Sequence, residues 1–375
     1  MDCARDNRRV TFEHTPDALP RLLQRAITQA IDREGGWLPF DRFMAQALYA
    51  PGLGYYAHGS RKFGLMPQSG SDFVTAPELS PLFGRALAVQ VADAMDHCGV
   101  DQVWEFGAGS GALALQLLQA LGDRVQRYTI VDLSGALRAR QQQTLAAFGG
   151  RVQWIDALPE AFQGIVVGNE VLDAMPVQLL HRVDGQWLER GVARDGDRLL
   201  WRDQPTDLRP PVDIPGTHDY LTEIHTQAQA FMRTLADRLQ RGAAFFIDYG
   251  FPEAEYWHPQ RHMGTLICHR AHQSDTDPLS DVGLKDITAH VDFTGIALAA
   301  QEAGLSTLGF TSQGRFLLNC GIAALMEQAT LPERANALKL VNEHEMGELF
   351  KVIALSRTEG WTPVGFAAGD RIHTL

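Results

Sequence analysis

Acidic side chains crowd one short stretch of this sequence, VGNEVLDAMPV at 167 to 177, which holds Asn169, Glu170 and Asp173. If the apolar run before it is a parallel strand, these groups project from its C-terminal end, where such sheets bind ligands. Two carboxylates there suit a cationic nucleophile such as a guanidinium, which they can grip and orient. A displacement reaction gains most from such positioning, because nucleophile and reacting carbon must be held in line. A plainer use exists, since Asn169 or Asp173 could cap a short helix. The catalytic reading is preferred for Glu170, and the two uses weigh about equally for Asp173.

A second chemical feature is WEFGAGSGAL, residues 104 to 113, in which Gly107, Gly109 and Gly111 join an apolar strand to a helix. Glycines there allow a tight turn and let a ligand lie against the main chain near a helix N-terminus. A phosphate-cradling P-loop is excluded, because no Lys-Ser or Lys-Thr follows the last glycine. A dinucleotide site fits loosely through Gly107, Gly109 and Ala112, with Asp132 at the end of the next strand. Glu105 argues for a third reading, because a carboxylate beside a pyrophosphate would repel it. S-adenosylmethionine carries a sulfonium and an ammonium instead, and an acid at Glu105 favours both. Asp132 can bind ribose hydroxyls in either case, and Asp156, after the third strand, is either an adenine contact or a solvated loop acid.

The elements that must position these groups are legible as periodicities. Helical spacing of apolar residues marks 19 to 33 and 40 to 48, and the Gly-, Pro- and Ser-rich stretch 49 to 81, with Tyr55, Tyr56, Phe63 and Phe73, reads as a long ordered loop. From Ser80 onward helices alternate with apolar strands: helix 80 to 98, strand 103 to 106, helix 112 to 121, strand 127 to 132, helix 134 to 147, strands 152 to 155 and 164 to 169, helix 221 to 239, strand 243 to 249, and a closing strand at 349 to 356. That rhythm predicts a parallel sheet covered on both faces. Two Asp-Gly pairs at 184 to 185 and 195 to 196 predict an antiparallel β insertion. The stretch 273 to 293 reads as a further loop over the site. Asp292 and Phe293 either line its wall or simply start the next helix.

Composition bounds the rest. A chain of 375 residues with 45% hydrophobic and 21% charged residues can bury a large core. With 33 basic against 45 acidic residues the formal charge is -12, which argues against a partner bound through phosphates, so no nucleic acid is expected. No apolar stretch approaches membrane-spanning length, and no membrane insertion is expected. Cys3, Cys98, Cys268 and Cys320 form no CxxC pair, and His258, His262, Cys268, His269 and His272 lack a second group at ligand spacing, so no metal is expected. The acidic N-terminal stretch carries no secretory or transit pattern, and a reducing, cytoplasmic compartment is expected.

Several blocks in fixed order resemble the MidA-like (DUF185) S-adenosylmethionine-dependent methyltransferases, a family that includes a mitochondrial complex I assembly factor with protein arginine methyltransferase activity. They are GLGYY (52 to 56), SDFVTAPELSPLFGRALA (71 to 88), EFGAGSGALA (105 to 114), GNEVLDAMPV (168 to 177), IDYG (247 to 250), GTLICHRAH (264 to 272) and DITAHVDF (286 to 293). The resemblance implies an α/β, class I (Rossmann-like) methyltransferase fold with an N-terminal helical cap and a β insertion. Its expected divisions are a cap and cofactor-covering loop at 1–78, core at 79–176, β insertion at 177–220, and core again at 221–375 with a site-covering loop at 251–291. It implies S-adenosylmethionine contacts from Gly52, Tyr55 and Thr75 in the covering segment, and from Leu133 and Asn169 beside the residues named above. Where the family often reads NEFFDALP this chain reads NEVLDAMP, so Val171 and Leu172 are expected to alter the substrate pocket. The implied reaction is methylation of an arginine on a protein partner, with Glu170 and Asp173 as catalytic residues and a homodimer left open. A small-molecule methyltransferase and a non-catalytic cofactor-binding assembly factor are the alternatives.

Overall fold

The computed structural model describes residues 18–57, 75–132, 134–270 and 273–375. The N-terminal helices form where helical spacing gathers apolar side chains on one face: α1 (Ala18–Arg33) buries Leu23, Ile27 and Ile31. After a two-residue strand β1 (Leu38–Pro39), α2 (Phe40–Tyr49) buries Phe40, Phe43, Met44 and Leu48. Of the expected 49 to 81 loop, residues 58–74, with Phe63 and Phe73, lie outside the described residues. Beyond them come the short α3 (Ala76–Leu79) and α4 (Pro81–Cys98). Ser80 starts α4 by accepting from the Leu82 N–H at 3.3 Å, with Pro81 in the first turn.

The central layer then builds up as β2 (Gln102–Phe106), α5 (Ala112–Leu121), β3 (Arg127–Val131), α6 (Gly135–Thr144), β4 (Val152–Ile155) and β5 (Phe162–Asn169). Four strands leave it: β6 (Gln178–Val183), β7 (Gln186–Asp195), β8 (Arg198–Pro205) and β9 (Tyr220–Ile224). The chain returns through α7 (Thr226–Arg238), β10 (Leu239–Phe251) and α8 (Glu253–Tyr256). A small three-stranded sheet of β11 (Ile267–Arg270), β12 (Gln273–Asp275) and β13 (Asp286–Thr288) follows. The remaining elements are β14 (Val291–Asp292), α9 (Phe293–Glu302), β15 (Ser306–Ser312), α10 (Gln313–Asn319), α11 (Ile322–Glu327), α12 (Leu331–Val341) and β16 (Phe350–Ser356).

The main sheet runs β15-β16-β10-β5-β2-β3-β4, with β14 joined to β10. Strands β10, β5, β2, β3 and β4 pair in parallel, and β16 is antiparallel to both of its neighbours. Alternate side chains supply two cores. Val103, Ile165, Val167 and Phe245 face α4 and α5, while Trp104, Val166, Ala244 and Phe246 face α7 and α9. From β2 the chain proceeds to one side through β3 and β4, and then resumes on the other side with β5 and β10. The switch point therefore lies between β2 and β5, where a crevice opens at the strand C-termini.

Outside this layer β1, β7, β6 and β9 form an antiparallel sheet, with β8 on the free side of β7. The turn between β6 and β7 holds Asp184 and Gly185 at φ +49° and +77°, the two positive values that a tight hairpin of this twist requires. Two expectations change. Residues 221 to 239 are not one helix, because Tyr220–Ile224 pairs with β6 and the helix starts only at Thr226. The buried Glu223 anchors that strand by accepting from the Thr265 and Leu266 N–H groups at 2.7 and 3.2 Å. Within the expected loop 273 to 293, β13 is a buried strand, and Asp292 accepts from the Gly295 N–H at 3.0 Å as the cap of α9.

Candidate active site

The first half of the crevice belongs to the glycine loop after β2. Gly107, Gly109 and Gly111 have φ of +64°, +51° and +83°, a region costly for residues with a Cβ. A Cβ at Gly107 would also stand 3.0 Å from the Val171 side chain. Asp132, at the end of β3, is held by the Ser134 N–H at 2.8 Å and by Gln141 Nε2 at 2.7 Å. Gln141 also donates to Gly109 O at 3.1 Å and accepts from Trp154 Nε1 at 2.9 Å, so one α6 side chain fixes both loop and acid. Glu78 of α3 accepts from the Ser110 hydroxyl.

Other residues expected in this half are placed less simply. Glu105 is buried in the sheet, and its Oε2 accepts from the Tyr128 hydroxyl at 2.7 Å. Burial pushes its carboxyl up to about 8. That burial disfavours the negative charge expected of it. Asp156 is exposed and ion-paired with Arg138, whose guanidinium also donates to Asp132 O at 2.9 Å. Thr75 stands at the N-terminus of α3, and Gly52 is exposed at φ +69°. Tyr55 is only 1% exposed and packs in the core of α1 and α2, with Tyr56 against the same cluster. Leu133 lies outside the described residues.

The second half lies past the end of β5, and here distant segments converge. Asn169 Nδ2 donates to Glu170 Oε1 at 2.9 Å, and Asn169 Oδ1 is buried without a partner among the described residues. Glu170 adopts φ +54°, an unusual value for a residue with a side chain, and its N–H donates to Ile247 O at 2.9 Å. Burial, and then the charge of Asp173, push its carboxyl up to about 8. Burial also raises Asp173 to about 6 against a hydrogen bond from Tyr249, and Asp173 Oδ1 is a buried atom with no partner.

Neither Asn169 nor Asp173 is the cap of the turn that follows. Asp248 of β10 performs that service, with Oδ2 accepting from the N–H groups of Val171, Leu172 and Asp173 at 3.0, 2.8 and 3.3 Å. Beside this turn Tyr49 donates to Ala174 O at 2.8 Å, and Tyr56 donates to Asp286 Oδ2 at 2.7 Å. Residue type and spacing alone do not single out Tyr49, Gln141, Asp248, Tyr249 and Asp286. The signal for most of them was membership of the ordered blocks, notably IDYG and DITAHVDF.

The residues beside β2 and β3 fit a nucleoside. Three glycines expose main chain, and Asp132 keeps acceptor capacity for vicinal hydroxyls. Residues 86–311 match the family described as "Putative S-adenosyl-L-methionine-dependent methyltransferase". The chain belongs to that methyltransferase family.

A crystal structure from Burkholderia thailandensis bound to S-adenosyl-homocysteine is 50% identical, with a TM-score of 0.92 covering 96% of this chain and 99% of that one. The mitochondrial protein arginine methyltransferase NDUFAF7 homolog of Caenorhabditis elegans is 26% identical over 366 residues, 86% of this chain and 84% of the relative. Human mitochondrial NDUFAF7, also named a protein arginine methyltransferase, is 27% identical over 368 residues, 84% of this chain and 78% of the relative. The methyltransferase thus has the class I fold, and its cofactor is S-adenosyl-L-methionine. The cytoplasmic expectation is corrected by these relatives, which are named mitochondrial. No helix among the described residues is long and apolar enough to cross a membrane.

Proposed function

We propose that this methyltransferase modifies an arginine side chain of a protein partner, with Glu170 and Asp173 binding the guanidinium. One observation carries the reading: past the end of β5, Asn169, Glu170 and Asp173 gather acceptor oxygens, two of them buried without a hydrogen-bond partner among the described residues. Asn169 Oδ1 and Asp173 Oδ1 are buried and unpartnered, and the charges that bear most on Glu170 are those of Asp173 and Asp286. A guanidinium brings five N–H donors in a planar fork, which is what such a set of oxygens lacks. Among the described residues no group of three or more His, Cys, Asp and Glu side chains is placed to hold a metal ion. The relatives' names as protein arginine methyltransferases support the same acceptor.

The bound cofactor supplies an electrophilic methyl group on a sulfonium. The chain's own residues do the rest. Glu170 and Asp173 grip two edges of the guanidinium and fix the direction of its third nitrogen. As that nitrogen gains a methyl group it must lose a proton, and a carboxylate raised to about 8 is a competent acceptor for it. Asp248 keeps the turn carrying both acids rigid through its three N–H contacts. The test is transfer of tritiated methyl groups into lysate proteins, followed by acid hydrolysis and separation of methylarginine from methyllysine.

A further inference from the structure

A pair of acids attracts any cation, so Glu170 and Asp173 alone do not separate a guanidinium from an ammonium. Discrimination needs a flat surface and acceptors arriving from more than one direction. The structure supplies both from segments remote from β5. Tyr49 and Tyr56, at the end of α2 and just beyond, stack at 5.5 Å with their planes 20° apart. Tyr49 remains 40% exposed and is fastened by its hydroxyl to Ala174 O, one residue past Asp173. Tyr56 is fastened to Asp286 Oδ2 at 2.7 Å.

Asp286 is not a distant surface acid. It is 1% exposed, and its strand is tied to the β5 turn through the Ala289 N–H, which donates to Asp173 O at 3.0 Å. It is joined to that turn a second time through Tyr56, which stacks on the Tyr49 ring fastened to Ala174 O. Two buried oxygens offer further acceptors: Asn169 Oδ1 and Asp173 Oδ1, on residues only 8% and 4% exposed, have no partner among the described residues.

We propose that Asp286, steadied by Tyr56 and flanked by the Tyr49 ring, is a substrate-binding residue that makes the site select the guanidinium of arginine over the ammonium of lysine. Asp286 supplies an acceptor from a segment remote in sequence from Glu170 and Asp173, and the tyrosine face matches a planar cation. The inference rests on the arginine acceptor proposed above and adds the element that determines its specificity.

The experiment uses the full chain, tritiated S-adenosyl-L-methionine and a dilution series of lysate from hypomethylated cells. Asp286→Asn keeps size and the acceptor for the Ile287 N–H, which lies 3.0 Å from Oδ1. Tyr56→Phe removes one hydroxyl and serves as the second variant if the first fails to fold. The half-saturating lysate concentration is expected to rise roughly tenfold for Asp286→Asn and about threefold for Tyr56→Phe, as lost charge-assisted and neutral hydrogen bonds would give. The share of label in methyllysine should rise as well, with calorimetric affinity for the cofactor unchanged. Wild-type labelling of arginine, with both variants keeping its half-saturation and arginine-to-lysine ratio, overturns this inference and leaves the acceptor standing. Wild-type protein that labels no arginine overturns the acceptor and this inference with it.

Discussion

The two halves of the crevice are built on opposite principles. In the cofactor half most polar groups are already answered, with Arg138 Nε a buried exception: Asp132 has Ser134 and Gln141, Gly109 O has Gln141, Glu105 has Tyr128 and Asp156 has Arg138. In the acceptor half, acids and an amide face one another, Asn169 Oδ1 and Asp173 Oδ1 go unpartnered, and Glu170 is held at a strained φ. A cofactor whose nucleoside is the same at every turnover is met by a largely finished surface. The second half has oxygens in excess, which an incoming cation completes, and leaving such groups unmet when it is absent costs stability.

Removing an acceptor from the unfinished half should have the largest effect. Glu170→Gln is expected to lower the arginine methylation rate about a hundredfold or more, as loss of a positioned charged group does, while calorimetry shows cofactor affinity unchanged. Equal loss of cofactor binding would erase the division between the halves. Filling the finished half comes next. Gly109→Val must hold φ near +51°, at about 1 to 2 kcal/mol, and its side chain occupies the space beside the main chain. Cofactor affinity should fall roughly tenfold or more. Unchanged affinity in a folded variant would remove the loop from the site.

The pH dependence sharpens the contrast. Glu170 grips a guanidinium only as a carboxylate, and its carboxyl is raised to about 8, so kcat/KM for arginine should climb from pH 6 and level off above about 8. A profile flat from pH 6 to 9 would show that Glu170 is already ionised in the free enzyme. Smaller still, Gln141→Leu removes the links to Gly109 O and Asp132, about 1 kcal/mol, and should weaken cofactor binding some fivefold. Asp156→Ala breaks only an exposed ion pair, and cofactor affinity should move less than about threefold. A larger loss would make Asp156 an adenine contact.

The same contrast explains what could be read from the chain. The cofactor half was legible because it is local: strand, three glycines, helix, then an acid closing the next strand, all within 104 to 132. The alternating sheet and the two hairpins followed from apolar runs and Asp-Gly pairs. The acceptor half was only partly legible, since Glu170 and Asp173 are neighbours in sequence but Tyr49, Tyr56, Asp248 and Asp286 are brought to them by the fold. No periodicity marks such a convergence. Tyr55 and Tyr56 show the limit at its narrowest, because of two adjacent identical residues one is buried in the core and the other, partly buried against it, donates to Asp286. The helix expected from 221 failed because pairing with β6 outweighed local helical spacing.

The central claim, that the unfinished half takes the guanidinium of a protein arginine, is tested most directly by one labelling experiment. Purified protein is incubated at pH 8 with tritiated S-adenosyl-L-methionine and lysate proteins, the proteins are hydrolysed, and the labelled amino acids are separated. Label in methylarginine with wild-type protein, and its disappearance with Glu170→Gln, is the predicted result. Label in methyllysine or small molecules alone, or methylarginine formed equally by Glu170→Gln, would contradict it.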